Sequence, residues 1–89
     1  MNTKQKAALV AKAHHLKPVV MIGQKGLTDN VIAETELALT AHELIKVKVI
    51  ADDKEQRSMI VGQICSTLNA EPLKLIGNIA IIYRKSSDT

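Results

Sequence analysis

Residues 18–28 read PVVMIGQKGLT, a strand, a glycine-bracketed loop and a helix start in eleven residues. Pro18 keeps Lys17 out of the α conformation, and Val19–Ile22 is a short β-rich run that stops at Gly23. Thr28, just past the second glycine, is placed to cap a helix. A buried strand, with Met21 in the core, therefore passes through a glycine-bracketed loop directly into a helix, as in α/β domains.

Working outward, residues 29–41 form that helix, with Val31, Ile32, Thr35, Ala38 and Leu39 on its apolar stripe and Glu34 and Glu36 outside it. Residues 44–50 then alternate, with Ile45, Val47 and Val49 on one side and Lys46 and Lys48 on the other, which predicts a second strand. Asp52 with Glu55 has the spacing of a capping box opening a third helix, whose stripe is Ile60, Val61, Ile64, Cys65 and Leu68 and which ends near Asn69. Residues 73–76, a Gly77–Asn78 turn and residues 79–84 predict a closing hairpin. Upstream, residues 3–16 contain no Gly or Pro and carry a narrow stripe of Leu9, Ala13 and Leu16, which predicts a first helix.

The order is thus αβαβαββ, a single compact α/β domain over residues 1–85 with a four-stranded mixed sheet and a loose tail at 86–89. The first three strands are expected to run parallel and the fourth antiparallel. If Ile45, Val47 and Val49 face the second and third helices, the other face shows Lys46, Lys48 and Lys74 with Ile76, Ile79, Ile81 and Tyr83. Only the first helix is left to cover those apolar groups, which would bring its lysines toward that face.

Charge is segregated along the chain. Residues 1–27 carry five lysines and no acid, whereas residues 28–45 carry four acids and no Lys or Arg, within a net charge of +3. This segregation suggests one basic face; the alternative is a solvated helix that simply carries lysines. A single aromatic residue in 89 disfavours the aromatic stacking platforms of single-strand binders. A nucleic acid would have to be held by its backbone. The G-x-x-G loop Gly23, Gln24, Lys25, Gly26 suits that task, because glycines admit close approach, helix N-termini carry unpaired N–H groups, and Lys25 adds a mobile charge. Asp29 in the helix's first turn opposes an anion there. The same loop without a ligand would serve as an ordinary strand-to-helix turn.

Other chemistries find no support in the residues. The glycine spacing matches neither a dinucleotide fingerprint nor a P-loop, and His14, His15 and His42 have no partners at metal-ligand spacing. Cys65 lies on an apolar stripe without an activating base, so it reads as a buried thiol, and a lone cysteine fits a reducing cytoplasm. No transmembrane run and no signal peptide are visible. No enzyme, cofactor, metal or small-molecule substrate is expected.

The runs at 16–28 (LKPVVMIGQKGLT), 42–49 (HELIKVKV) and 75–84 (LIGNIAIIYR) resemble the CRM domain, in particular its small stand-alone bacterial YhbY-like members, over nearly the whole chain. The resemblance implies an RNA-binding fold similar to the C-terminal domain of the third translation initiation factor, associated in bacteria with precursors of the large ribosomal subunit and, in plant organelles, with intron splicing. Carried onto this sequence, the family's loop falls on Gly23, Gln24, Lys25 and Gly26, and its basic surface on Lys6, Lys12, Lys46 and Lys48. The expected partner is RNA, ribosomal RNA in particular. The competing reading is a protein-interaction module that docks through the apolar sheet face.

Overall fold

A computed structural model describes residues 1–85 and contains α1 (Thr3–Ala13), β1 (Pro18–Ile22), α2 (Asp29–His42), β2 (Leu44–Val49), α3 (Lys54–Leu68), β3 (Glu71–Ile76) and β4 (Ile79–Tyr83). The expected element order and mixed sheet are present; the expected tail at 86–89 lies outside the described residues. The strands are ordered β1-β2-β4-β3, with β1 parallel to β2 and β4 antiparallel to both β2 and β3. β1, β2 and β3 accordingly share one direction, and β4 is inserted between the last two. Its composition explains the position, because Ala80, Ile81 and Ile82 are all buried and only a central strand buries both faces.

One face of the sheet meets α2 and α3. Ile45, Val47 and Val49 pack there with Val20, Ile22, Leu39, Val61, Ile64, Cys65, Leu68, Ala80 and Ile82 in the main core. On the other face α1 lays Leu9, Val10 and Ala13 against Leu44, Leu73, Ile81 and Tyr83. The first helix does act as the cover, but a stripe this narrow shields only one part of a four-stranded face.

Several local expectations are revised. α1 ends at Ala13 and not at Leu16, because the N–H groups of His14, His15 and Leu16 donate to carbonyls three residues back at 3.2, 3.4 and 3.0 Å and tighten the chain into a turn. Leu16 is consequently exposed and Val10 takes its place in the stripe. At the opposite end, α1 is opened by a capping box between Asn2 and Gln5.

β1 is a half-exposed edge strand: Val20 and Ile22 are buried, whereas Val19 and Met21 are 49% and 57% exposed. Met21 is not a core residue, because α1 does not reach over it. The cap of α3 is Asp53, whose carboxylate accepts from the Gln56 N–H at 2.7 Å, one residue later than the Asp52–Glu55 spacing suggests. β3 begins at Glu71 and absorbs Pro72, which an edge strand tolerates, and a register shift between Pro72 and Lys74 lets Leu73 face α1 while Leu75 packs on the main core.

Candidate nucleic-acid interface

The loop after β1 is a tight turn in which the Gly26 N–H donates to the Gly23 carbonyl at 3.0 Å. Gly26 has φ +74°, a left-handed conformation that side-chain-bearing residues adopt only under strain, so this glycine is required by the turn itself. Gly23 is different. Its φ is outside the left-handed region, and a Cβ placed on it would meet nothing within 4 Å. The fold leaves open space at Gly23 without needing a glycine there.

The turn presents Gln24 and Lys25 to solvent, and their backbone N–H groups donate to no other described residue. The helix N-terminus beyond it is less available than the sequence suggests. Thr28 caps α2 by accepting from the Val31 N–H at 3.2 Å, and the exposed carboxylate of Asp29 occupies the positive end of the helix. The groups left open at this turn are therefore the Gln24 and Lys25 amides and the exposed Lys25 ammonium, more than the first turn of α2.

Strand register fixes what lies beside the loop. The Ile50 N–H donates to the Ile22 carbonyl at 2.8 Å and the Val49 N–H to the Asn78 carbonyl at 2.7 Å. The glycine loop, the β2–α3 connection and the Gly77–Asn78 turn thus share one end of the sheet. On the α1-bearing face the row nearest that end is Met21, Lys48, Ile79 and Ile76, each paired with the next across the strands. The following row is Pro18, Lys46, Ile81 and Lys74. No acid stands in either row. Lys48 and Lys74 are exposed and Lys46 is half-buried, beside His14 at the C-terminal end of α1.

The four lysines named from the sequence are not one cluster. Lys46 and Lys48 lie on the loop-end rows. Lys12 lies in a separate hollow with Lys17, Leu16, Val19, His42 and the acid Glu43. Lys6 is exposed on α1 eight residues before His14, roughly 12 Å farther along the helix axis, toward the end where Gln5 and Leu9 meet Tyr83. The sequence reading missed Lys17, which joins the edge of β1 to Lys48 through a shallow groove that also contains Glu34. It also left Lys74 out of the site, although its register with Ile81 puts it one strand away from Lys46. The signal for Lys17 was its place in the acid-free N-terminal third; the signal for Lys74 was its alternation with Ile76, which already put it on the face of Lys46 and Lys48.

Both arginines among the described residues are occupied structurally. Arg84 pairs with Glu36 and donates to the Leu68 carbonyl at 3.0 Å and the Thr40 hydroxyl at 3.1 Å, tying the end of β4 to α2 and α3. Its guanidinium holds the Glu36 carboxyl below the usual range. Arg57 donates to the Ala51 carbonyl at 3.0 Å and fixes the β2–α3 connection. Cys65 is buried, and burial, aided by the charge of Glu71, pushes its thiol up to about 11. Such a thiol is protonated at neutral pH and a poor nucleophile. Among the described residues no cluster of three potential metal ligands forms, and no helix is long and apolar enough to cross a membrane.

The model of the CRS1/YhbY (CRM) domain matches residues 1–84. The chain belongs to the CRM domain family. A protein of Haemophilus influenzae named an RNA-binding protein is 48% identical over 88 residues, covering 99% of this chain and 89% of its own. A Pseudomonas aeruginosa protein named a probable RNA-binding protein is 37% identical over 86 residues, covering 97% and 83%. The solution structure of a Staphylococcus aureus protein, described as a candidate RNA binder, superimposes with a TM-score of 0.88 at 29% identity over 100% of this chain and 93% of that one. These CRM relatives are named for RNA binding and not for a catalysed reaction.

Proposed function

We propose that this CRM domain is a noncatalytic RNA-binding module that grips the phosphate backbone with Gln24, Lys25, Lys46 and Lys48, Gly26 setting the turn and Gly23 leaving room for the ligand beside it. The observation that carries the reading is the juxtaposition at one sheet end of a turn whose Gln24 and Lys25 amides donate to no described residue and two acid-free rows containing three lysines. A phosphate chain is the ligand that uses both features at once: amides and ammonium groups bind its oxygens without reading sequence. Lys12 and Lys17 extend the positive surface along the β1 edge. Lys6 contributes only to long-range attraction.

The RNA is ribosomal, in precursors of the large subunit, and the protein works in the cytoplasm on assembly; membership of the CRM family supports this assignment. Two measurements test it. Replacing Lys25, Lys46 and Lys48 together by Ala is expected to lower the slope of log K against log salt by about 2 to 3. An unchanged slope and affinity refutes the face. Sedimentation of a cell extract is expected to carry the protein with large-subunit precursor particles, and a protein that stays at the top of the gradient refutes the ribosomal assignment. The docking reading retains one supporting observation, the exposed Met21 and Ile76. It requires partners that survive ribonuclease treatment in a pull-down.

A further inference from the structure

The row next to the loop is mostly apolar and only partly covered, with His14 at its Ile76–Ile79 end. Met21 is 57% exposed, Ile76 is 50% exposed and Ile79 is half-buried, with the Lys48 side chain between Met21 and Ile79. Four strands at sheet spacing make this a strip about 14 Å wide. α1 covers Ile81 and Tyr83 but stops short of the strip, its C-terminal end marked by His14 beside Ile76, Ile79 and Lys46. A single exposed apolar side chain needs no explanation, whereas a register-aligned strip backed by lysines does, even with Val19 also exposed on the edge strand and Glu34 beside the Met21 end.

From this register we infer that the strip receives unpaired nucleobases, and that the domain prefers single-stranded RNA segments to duplex. The inference rests on the backbone-binding reading and deepens it. A duplex buries its base faces and offers this surface phosphates, sugars and polar base edges, none of which covers Met21, Ile79 and Ile76 as an apolar base face does. A single strand held at the turn presents apolar base faces to aliphatic side chains while its phosphates reach Lys48, Lys46 and Lys74. Bases are the occupant favoured over an apolar protein segment because Lys48 interrupts the apolar row and two more lysines back it, a pattern that alternates charge and apolar contact as a nucleotide chain does. Aliphatic contact replaces the aromatic platforms that the chain, with one tyrosine, lacks.

The test uses a fluorescently labelled unstructured RNA of about a dozen nucleotides, free or annealed to its complement, titrated with the full chain across a salt series. In the Met21→Ser/Ile76→Ser variant, affinity for the single strand is expected to fall roughly tenfold with the salt slope unchanged, while duplex affinity stays within about twofold. Both side chains are half-exposed or more, so the variant is expected to fold, and circular dichroism verifies it; Met21→Leu/Ile76→Val is expected to restore single-strand affinity. An unchanged single-strand affinity, or an equal loss on duplex, overturns the inference. In either case a lowered salt slope for Lys25→Ala with both forms keeps the backbone reading standing. If the unaltered protein binds neither form, the backbone reading and the inference fall together. Loss of a ribonuclease-resistant partner, with RNA affinity intact, assigns the strip to protein and overturns the inference.

Discussion

The two glycines of the loop look equivalent in sequence and are not equivalent in structure, and substituting each by Ala separates folding from binding. At Gly26 the backbone sits at φ +74°, and an L residue held in the left-handed region costs about 1 to 2 kcal/mol. For a domain of this size each kcal/mol moves the thermal midpoint by roughly 4 to 8 °C, so Gly26→Ala is expected to melt several degrees early. At Gly23 no such strain arises, and the added methyl points into open space. Gly23→Ala is expected to keep or slightly raise the midpoint, since it removes freedom from the unfolded chain worth up to about 1 kcal/mol.

The binding outcome runs the other way. In the proposed binding mode a phosphate chain approaches the turn through the open space at Gly23, so the methyl is expected to hold the backbone off the Gln24 and Lys25 amides. Losing one phosphate contact reduces the salt slope by about 0.7 to 0.9 and weakens binding at every salt concentration. The assay pairs calorimetric melting with RNA titration over salt for both variants. A Gly23→Ala protein that binds RNA like the original shows that the open space is not a ligand approach. A Gly26→Ala protein that melts like the original shows that the turn does not depend on its left-handed glycine.

Three further outcomes follow from the packing. Asp53→Ala removes the α3 cap and is expected to cost about 1 kcal/mol, whereas Asp52→Ala is near neutral; urea melts of the pair decide whether the cap stands where its 2.7 Å bond indicates. Arg84→Ala loses about 1 kcal/mol from the Leu68 carbonyl bond alone. Because Arg84 lowers the Glu36 carboxyl, the stability from that pair is present above the ordinary carboxylate range and lost as pH falls through the folded-state value; melts from pH 7 to 3 should steepen in the original protein and flatten in Glu36→Gln. Cys65, pushed up to about 11, should resist alkylation at pH 8 until denaturant is added, and its raised value removes stability as pH rises from the ordinary thiol range toward about 11. Rapid labelling of the native protein refutes that burial.

Element order was legible in the sequence because each element carried a local signature: the period of 2 in β2, the 3.6 period and Thr28 cap of α2, and the Gly77–Asn78 turn with its left-handed glycine at φ +59°. The loop was legible for the same reason. What stayed hidden depends on distant partners. Met21 looks like a core residue in the run VVMI, and only the position of β1 at the sheet edge and the reach of α1 expose it. Lys6 and Lys12 share a charge with Lys46 and Lys48 but not a location, because the α1 axis carries Lys6 away from the loop. Lys74 was legible on the face of Lys46 and Lys48 from its alternation with Ile76, whereas its place one strand away from Lys46 needed β4 between them.

The insertion of β4 between β2 and β3 makes a strand synthesised after every other described element the keystone of the sheet. Until residues 79–83 leave the ribosome, β3 has no neighbour to hydrogen-bond and the β1–β2 pair ends in an open edge at β2. The growing polypeptide can therefore form helices and one parallel pair early, but the lysine-bearing surface assembles in a single late step. A chain cut short before Ile79 would carry every lysine of the loop-end rows and still lack the surface that groups them.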